Sequence, residues 1–209
     1  MVLNDERPLS SERTPPPERR DHLLAVARTV FANGGFQATT MDEIAHEAGF
    51  TKPILYQYFD SKTELYREVV THTADTLLGS LRAAVEDATT PRERIEVSFR
   101  VFFDMVVEET DAFRILFIHS HEGETKGDLR AFEAALVSFI EPLIAVRIKP
   151  DHRRQLAAGV VGIAEGAATA WLIQQEARGW PPPRPGVAQR LAARSATLAW
   201  GGLRSIQID

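Results

Sequence analysis

Residues 51–62, TKPILYQYFDSK, decide which class of fold the chain adopts. The aromatic and branched side chains are typical of a buried strand, whereas a Pro between a Thr and a Ser is typical of a short helix. Thr51 can cap a helix start, and Pro53 is tolerated in a first turn whose N–H groups have no intrahelical partner. The stretch is therefore predicted to form a helix of about two turns over residues 52–59.

The spacing within this predicted helix separates a buried face from an exposed face. Leu55 and Phe59 are four residues apart and are expected to face the core together. The polar and aromatic remainder then lies largely outside: Lys52, Tyr56, Gln57 and Tyr58. Such a helix, preceded by another short helix and a tight turn, fits a helix-turn-helix unit that enters a major groove. A plain helical corner whose tyrosines complete a core fits the same pattern.

The flanking sequence predicts helices on both sides. A first helix follows the prolines that end at residue 17 and stops at the two glycines 34 and 35, where the chain can turn left-handed. In TTMDEIAHEAGF, residues 39–50, Thr40 and Glu43 form a capping box for a second helix, which Gly49 ends. Ser61 and Glu64 form another capping box, which opens a long fourth helix.

Residues 25–66, AVARTVFANGGFQATTMDEIAHEAGFTKPILYQYFDSKTELY, also carry an ordered set of motifs. F-x-x-x-G-F ends the first predicted helix, T-T precedes the second, I-A-x-x-A-G ends it, and L-Y-x-Y-F-x-S-K-x-x-L follows. From about Arg19 to Val69 the chain resembles the DNA-binding domain of the TetR family of transcriptional regulators. The resemblance covers roughly the first third of the chain.

The resemblance implies a set of DNA-binding residues: Thr40, Thr51, Lys52, Pro53, Tyr56, Gln57, Tyr58 and Lys62. In the family, the positions of Thr40, Tyr56 and Lys62 hold phosphates, and those of Lys52, Pro53 and Gln57 face base edges. A Lys can donate to guanine O6 or N7, and a Gln can pair with adenine N6 and N7. Tyr58 departs from the family, where His is usual, and Pro53-Ile54 replaces a common small pair. The expected partner is double-stranded DNA with a palindromic operator.

The balance of charges in the predicted DNA-binding region argues against DNA binding. Between residues 18 and 66, Lys and Arg number five against seven Asp and Glu, and the whole chain carries a net charge of −5. Phosphate binding normally depends on a positive face. Helix N-termini and the arginines Arg7, Arg13, Arg19 and Arg20 are expected to supply the missing attraction. An N-terminal arm that only solubilises the chain is the alternative.

Helical periodicity predicts an all-α protein. The resemblance implies an N-terminal three-helix helix-turn-helix domain and a C-terminal helical domain for ligand binding and dimerisation. Residues 1–17, rich in Pro, Ser and charge, are predicted to be a flexible arm. Residues 18–66 form the predicted DNA-binding domain and residues 67–209 the second domain. Without a signal peptide or a long apolar run, the chain is expected to be cytoplasmic, with no membrane partner.

The predicted second domain holds most of the eleven Phe. TetR-like proteins enclose a ligand cavity in this region, and an aromatic lining would suit an apolar small-molecule effector. The candidate ligand-binding residues are Phe99, Phe102, Phe103, Phe113, Phe117, Phe139 and Trp171. Phe at helical spacing is more often plain core, which is the alternative.

The last two predicted helices are rich in Ala and Gly, which allow helices to approach closely, and they carry Trp171 and Trp200. In the TetR family the final helices pair with those of a second subunit as a four-helix bundle. The resemblance therefore implies a homodimer. Closure of the monomer's own core is the alternative role for these helices.

Metal binding and catalysis find little support in the sequence. His119, His121 and Glu122 are spaced so that their side chains splay on a helix, and no further ligand group is evident, so no metal is predicted. The absence of Cys excludes thiol chemistry, and no phosphate loop or nucleophile elbow occurs. The chain is predicted to be a ligand-responsive regulator, a repressor without cofactor or enzymatic activity. A helical small-molecule carrier that does not regulate DNA is the alternative.

Overall fold

A computed structural model of the chain describes residues 17–118 and 126–206. These residues are helical almost throughout and contain no β-strand, which confirms the predicted all-α class. The helices are α1 (Pro17–Ala38), α2 (Met41–Glu47), α3 (Lys52–Tyr56), α4 (Lys62–Glu86), α5 (Pro91–Glu108), α6 (Thr110–Phe113), α7 (Lys126–Ile140), α8 (Pro150–Ala177) and α9 (Val187–Arg204). A π-helical turn, Arg114–Ile118, follows α6, and a 3-10 turn, Glu141–Leu143, follows α7.

The first three helices and the start of α4 pack around one set of buried side chains: Leu23, Phe31, Ile44, Leu55, Phe59 and Tyr66. Phe31 and Tyr66 meet edge to face, with ring centroids 5.0 Å apart. These contacts tie α1 to α4 and hold the short α2 and α3 between them. Burial of these apolar side chains, rather than the propensity of helices this short, keeps α2 and α3 helical.

The two glycines near the end of α1, Gly34 and Gly35, meet two different structural requirements. Gly35 has φ 71° and ψ 167°, a conformation in which side chains clash, and it interrupts the helical backbone as predicted. At Gly34, an added Cβ would lie 2.9 Å from the Thr39 hydroxyl oxygen, so a larger residue would displace Thr39. The turn between α1 and α2 therefore needs glycine at both positions.

The remaining helices enclose a second region of the same core. α5 lies between α4 and α9, and α8 packs on α7, α9 and α5. The predicted boundary between residues 66 and 67 falls inside the continuous helix α4. α7 ends at Ile140, and Pro142 lies in the 3-10 turn that follows, since Pro cannot continue a helix interior.

α8 is the longest helix, with 28 residues, and by length and composition it could cross a membrane. The expected absence of a long apolar run therefore does not hold for α8, where Ala and Gly are interspersed with Val, Ile, Leu and Trp. Only 33% of its most apolar window is buried within this chain. Core helices of globular proteins pass the same test, and α8 packs against three other helices here. Much of its apolar surface is nevertheless uncovered.

Candidate nucleic-acid interface

The exposed side of α3 is the centre of the candidate interface. Lys52, Pro53 and Gln57 are exposed, and Tyr56 keeps 43% of its surface accessible. On the opposite side Leu55 is fully buried, and Phe59, just beyond the helix, is 1% exposed, as predicted. One side of this element anchors it in the core, so the other is free to contact a partner.

The helix α3 is shorter than predicted. The expected helix over residues 52–59 is observed only as Lys52–Tyr56, because the N–H groups of Gln57 and Tyr58 bond to carbonyls three residues back and tighten the chain into a turn. Tyr58, expected to lie largely outside, is half-buried and packs against the core, with its ring centroid 6.4 Å from that of Phe59. That expectation was wrong because it assumed a regular helix up to Phe59.

The predicted N-caps at Thr40 and Thr51 behave differently. Thr40 Oγ1 accepts a hydrogen bond from Glu43 N at 3.2 Å, and Glu43 Oε2 accepts one from Thr40 N at 3.4 Å, which confirms the capping box. Thr51 occupies the N-cap position of α3, but its side chain makes no capping hydrogen bond. Its exposed hydroxyl is therefore available to an external acceptor such as a phosphate oxygen.

Lys52 contacts α2. Its Nζ lies 2.7 Å from Asp42 Oδ2, and both side chains are exposed. The hydrogen bond to the Asp42 carboxylate, followed by its charge, raises the pKa of Lys52. The pair joins the first turn of α3 to that of α2, so binding of Lys52 to a base would require exchange of this partner.

Lys62 has a structural role that the sequence did not reveal. Its Nζ donates to the carbonyl oxygens of Phe36, Gln37 and Thr39, at 2.8, 3.2 and 2.9 Å. It also lies 4.6 Å from the centroid of the Phe36 ring. An ammonium group has three donors, and all three are used to close the turn between α1 and α2. The phosphate contact predicted for Lys62 stays a prediction.

The positive charges expected from the N-terminal segment are only partly available. Arg20 forms a two-pronged ion pair with Glu68 and lies 4.8 Å over the Phe59 ring, and the hydrogen bond to Glu68 raises the pKa of Arg20. Arg20 therefore joins α1 to α4, whereas Arg19 is exposed. Arg7 and Arg13 lie outside the described residues.

The candidate ligand residues do not form one open pocket. Aromatic contacts run from Phe99 to Phe132, with neighbouring ring centroids 5.0 to 6.4 Å apart; we call this set the aromatic cluster: Phe99, Phe102, Phe103, Phe113, Phe117 and Phe132. All are at least 93% buried. Phe99 and Phe102 border a cavity of about 40 Å³ between α5, α7 and α8. The expected cavity is thus mostly filled by rings.

Two of the candidate ligand residues lie apart from these contacts. Phe139 is half-buried and joins none of the ring contacts made by the described residues. Trp171 is buried at the side of a different depression, between α8 and α9. Their roles in ligand binding stay predictions.

A metal centre receives no support from the part of the chain that the structure describes, where no three His, Cys, Asp or Glu lie together as a ligand set. The residues weighed for such a centre, His119, His121 and Glu122, lie outside residues 17–118 and 126–206.

The helix-turn-helix geometry agrees with comparisons to known proteins. A family model described as bacterial regulatory proteins, tetR family, matches residues 23–69, which are α1 through the start of α4. The chain is 31% identical over 200 residues to the HTH-type transcriptional activator FasR of Mycolicibacterium smegmatis, covering 94% of this chain and 88% of that protein. The HTH-type transcriptional repressor KstR2 of the same species is 28% identical over 209 residues, covering 93% and 95%.

The fold agrees as well. The crystal structure of the regulator FadR from Bacillus subtilis in complex with stearoyl-CoA superposes with a TM-score of 0.72 at 12% identity, covering 90% of this chain and all of that one. At this identity the likeness concerns the fold alone. The near full-length relatives, one of them 31% identical, establish that the chain belongs to the TetR family and is a DNA-binding transcriptional regulator rather than an enzyme.

Proposed function

We propose that the protein binds a palindromic operator as a homodimer, represses transcription from it, and is released by an apolar small-molecule effector. The observation that carries the proposal is the exposed side of α3, held on a three-helix unit by Leu55 and Phe59. A rigid element with exposed Lys, Tyr and Gln side chains suits entry into a major groove.

In this proposal the side chains divide into two groups. Tyr56 and the hydroxyls of Thr40 and Thr51 contact phosphates, and Lys52 and Gln57 read base edges. Pro53 adds apolar contact, for which a thymine methyl is the natural partner. Tyr58 and Lys62 hold the shape of the unit beside the phosphates. Two such units must reach half-sites about 34 to 36 Å apart, one helical turn of DNA.

The uncovered surface of α8 and α9 supports a dimer. Gly159, Gly162 and Gly166 are exposed on one face of α8, and a Cβ added at any of them meets nothing within 4 Å in this chain. Ile173 on α8 and Leu198 on α9 remain 60% and 64% exposed. Small residues flanked by exposed aliphatic side chains suit close packing against a second copy.

Gly162→Leu tests the dimer, with Gly79→Leu on α4 as the matched control. Both glycines are helical, exposed and free of neighbours around an added Cβ, so neither change overpacks the monomer. Overpacking of an interface by Gly162→Leu should cost about 1 to 3 kcal/mol and raise the dimer dissociation constant about 5- to 150-fold. Sedimentation at several concentrations measures the constant. A wild-type monomer at micromolar concentration, or equal effects of both changes, would contradict the proposal.

The aromatic cluster supports an apolar effector. The cavity beside Phe99 and Phe102 is far smaller than the roughly 300 to 1,000 Å³ typical of ligand pockets, so the effector must displace rings. A ligand that prefers the displaced arrangement shifts the population toward it and changes the spacing of the two α3 helices. FadR of Bacillus subtilis, which has a similar fold, was solved in complex with stearoyl-CoA, an acyl compound.

A thermal-shift screen followed by DNA competition tests the effector. Fatty acids and aromatic compounds should raise the melting temperature and weaken operator binding, whereas glucose should do neither. If only polar compounds stabilise the protein, or if apolar ligands leave DNA binding unchanged, the proposed effector class is wrong.

A separate experiment is needed to identify the operator and to decide whether the protein represses or activates transcription. Genomic fragments captured by the cytoplasmic protein, followed by a reporter assay on the best palindrome, should show lower expression with the protein present. FasR is named an activator and KstR2 a repressor, so the reporter decides between the two outcomes. A carrier without DNA function would bind no palindrome in a salt-sensitive way.

A further inference from the structure

A cavity of about 230 Å³ lies where the three-helix unit meets the rest of the chain. Its wall combines one residue of α1 with residues of α4, α5 and α6. Among the described residues that line it, none belongs to α8 or α9, so the dimer surface proposed above does not include it. We call it the junction cavity, and its polar wall includes Arg28, Thr73, Thr76, Asp104, Glu108 and Glu109.

Two buried atoms of the junction cavity have opposite hydrogen-bonding character. Arg28 Nε, a donor, and Asp104 Oδ1, an acceptor, are shielded from solvent and have no hydrogen-bond partner among the residues that the structure describes. The Arg28 side chain is held at its end, where Nη1 donates to Glu109 Oε2 at 2.9 Å. A buried donor or acceptor without a partner costs folding free energy. Both atoms therefore suit a molecule that brings an acceptor and a donor into the same cavity.

The two threonines on the α4 side of the junction cavity can only accept further hydrogen bonds. Thr73 Oγ1 donates to the Val69 carbonyl oxygen at 2.6 Å, and Thr76 Oγ1 donates to that of His72 at 2.8 Å. A hydroxyl group has one proton, so each oxygen keeps only its lone pairs for another partner. Together with Asp104 Oδ1, these oxygens suit a ligand group that carries several N–H donors.

The charge of the junction cavity favours an ammonium group. Asp104, Glu108 and Glu109 supply three carboxylates, whereas Arg28 is the one cation among the described residues that line the cavity. In the described part of the chain, no three acidic or His side chains lie together as a metal-ligand set, so these carboxylates do not converge on one ion. An ammonium group on a carbon chain has three donors and can bond to acceptors that lie apart from one another.

We propose that the junction cavity binds a small amino acid. Its ammonium group donates to Asp104 Oδ1 and the threonine oxygens, and its carboxylate accepts from Arg28 Nε, so both buried atoms gain charge-assisted hydrogen bonds. The volume is below the roughly 300 to 1,000 Å³ of pockets for drug-sized ligands, which suits a compact metabolite. This site is separate from the aromatic cluster and goes beyond the regulation by an apolar effector proposed above.

Thermal-shift measurements on the full-length protein with the common amino acids at millimolar concentration select the best ligand, and calorimetric titration then measures its affinity. One molecule should bind per chain. Asp104→Asn should weaken binding about tenfold or more, because the bond to the ammonium group loses its charge. Asp75→Asn is the matched control, since it makes the same change at an exposed position of α4 outside the cavity, and it should bind within about twofold of wild type.

Two analogues of the selected amino acid test the role of Arg28: the amine that lacks the carboxylate and the acid that lacks the amino group. Both should bind more weakly than the amino acid. Arg28→Gln should weaken binding of the amino acid about tenfold and should not weaken binding of the amine, which makes no bond to Arg28 Nε. The ion pair of Arg28 with Glu109 is partly exposed, so its loss should leave the fold intact, which thermal unfolding checks.

Three results would overturn the proposal. The first is that no amino acid binds the wild-type protein at millimolar concentration, which would mean that water alone serves Arg28 Nε and Asp104 Oδ1. The second is equal affinity in Asp104→Asn and Asp75→Asn, which would place the ligand elsewhere. The third is that the amine binds as tightly as the amino acid, which would leave Arg28 without a role. Failure of the operator or apolar-effector experiments does not change these outcomes.

Discussion

The exposed side of α3 and the aromatic cluster use similar side chains for opposite purposes. Tyr56 keeps 43% of its surface accessible, beside Lys52 and Gln57, whereas Phe103 and Phe113 are fully buried among other rings. The Tyr56 hydroxyl keeps its hydrogen-bonding capacity outside the core. A Phe ring has no polar atom to satisfy and gains most from complete burial.

This contrast is consistent with the proposed function, in which α3 reads DNA and the aromatic cluster binds an effector. α3 has five residues and depends on Leu55 and the nearby Phe59 for its position, so exposed changes on it should leave folding intact. The aromatic cluster is packed with only a cavity of about 40 Å³, so changes there should cost stability first. Folding energy and recognition are thus carried by different residues.

The largest expected effect comes from Phe103→Ala, compared with Tyr56→Ala. Deleting a fully buried ring that contacts Phe99 and Phe102 should lower the free energy of unfolding by about 3 to 5 kcal/mol. Tyr56→Ala should change it by no more than about 0.5 kcal/mol while weakening DNA binding. Urea unfolding at fixed protein concentration and fluorescence anisotropy measure the two quantities. Equal stability losses would show that α3 contributes to the core through Tyr56.

Lys62→Ala should lower the free energy of unfolding by about 1.5 to 3 kcal/mol, because three carbonyl oxygens at the end of α1 lose a charged donor. Lys149→Ala, the loss of an equal charge at an exposed site, is the control. If Lys62 also holds a phosphate, the slope of log affinity against log salt should flatten by about one unit. An unchanged slope with reduced stability would leave Lys62 as a structural residue only.

Gln57→Ala should alter sequence preference without altering stability. Its side chain is exposed and follows α3 directly, so a bidentate contact with adenine would be worth about 1 to 3 kcal/mol at one base pair of each half-site. Selection of binding sites from a random pool measures the change. A uniform loss of affinity at every sequence would instead place Gln57 on the DNA backbone.

The smallest expected effect separates the N-cap threonines of α2 and α3, Thr40 and Thr51. Thr40→Ala removes a capping hydrogen bond and should cost about 1 kcal/mol of stability. Thr51→Ala removes no such bond and should change stability by a few tenths of a kcal/mol at most. Thermal unfolding compares the stability of the two variants, and a DNA-binding assay compares their affinity for DNA. A stability loss at Thr51 as large as that at Thr40 would mean that its hydroxyl caps α3 in solution.

The elements that the sequence predicted well depend on local chemistry. The capping box of Thr40 and Glu43, the break at Gly35 and the burial of Leu55 with Phe59 follow from neighbours within four residues. The predictions failed at positions whose surroundings depend on a distant contact or on a tightened turn. Tyr58 turned inward because the chain leaves the helix at Gln57, a change of hydrogen-bond register that apolar spacing does not record.

The sequence by itself determined the all-α class and the helix starts of this protein, because capping and periodicity depend on residues close along the chain. Its resemblance to the TetR family, carried by an ordered set of motifs, determined the DNA-binding family. Only the tertiary structure decided that Lys62 closes the end of α1, that phenylalanines fill the expected cavity, and that Arg28 and Asp104 line one cavity. Residues 26 positions apart, such as Phe36 and Lys62, meet because the core brings their helices together. Helical spacing specifies which face of a helix is buried, and the packing of whole helices specifies what that face meets.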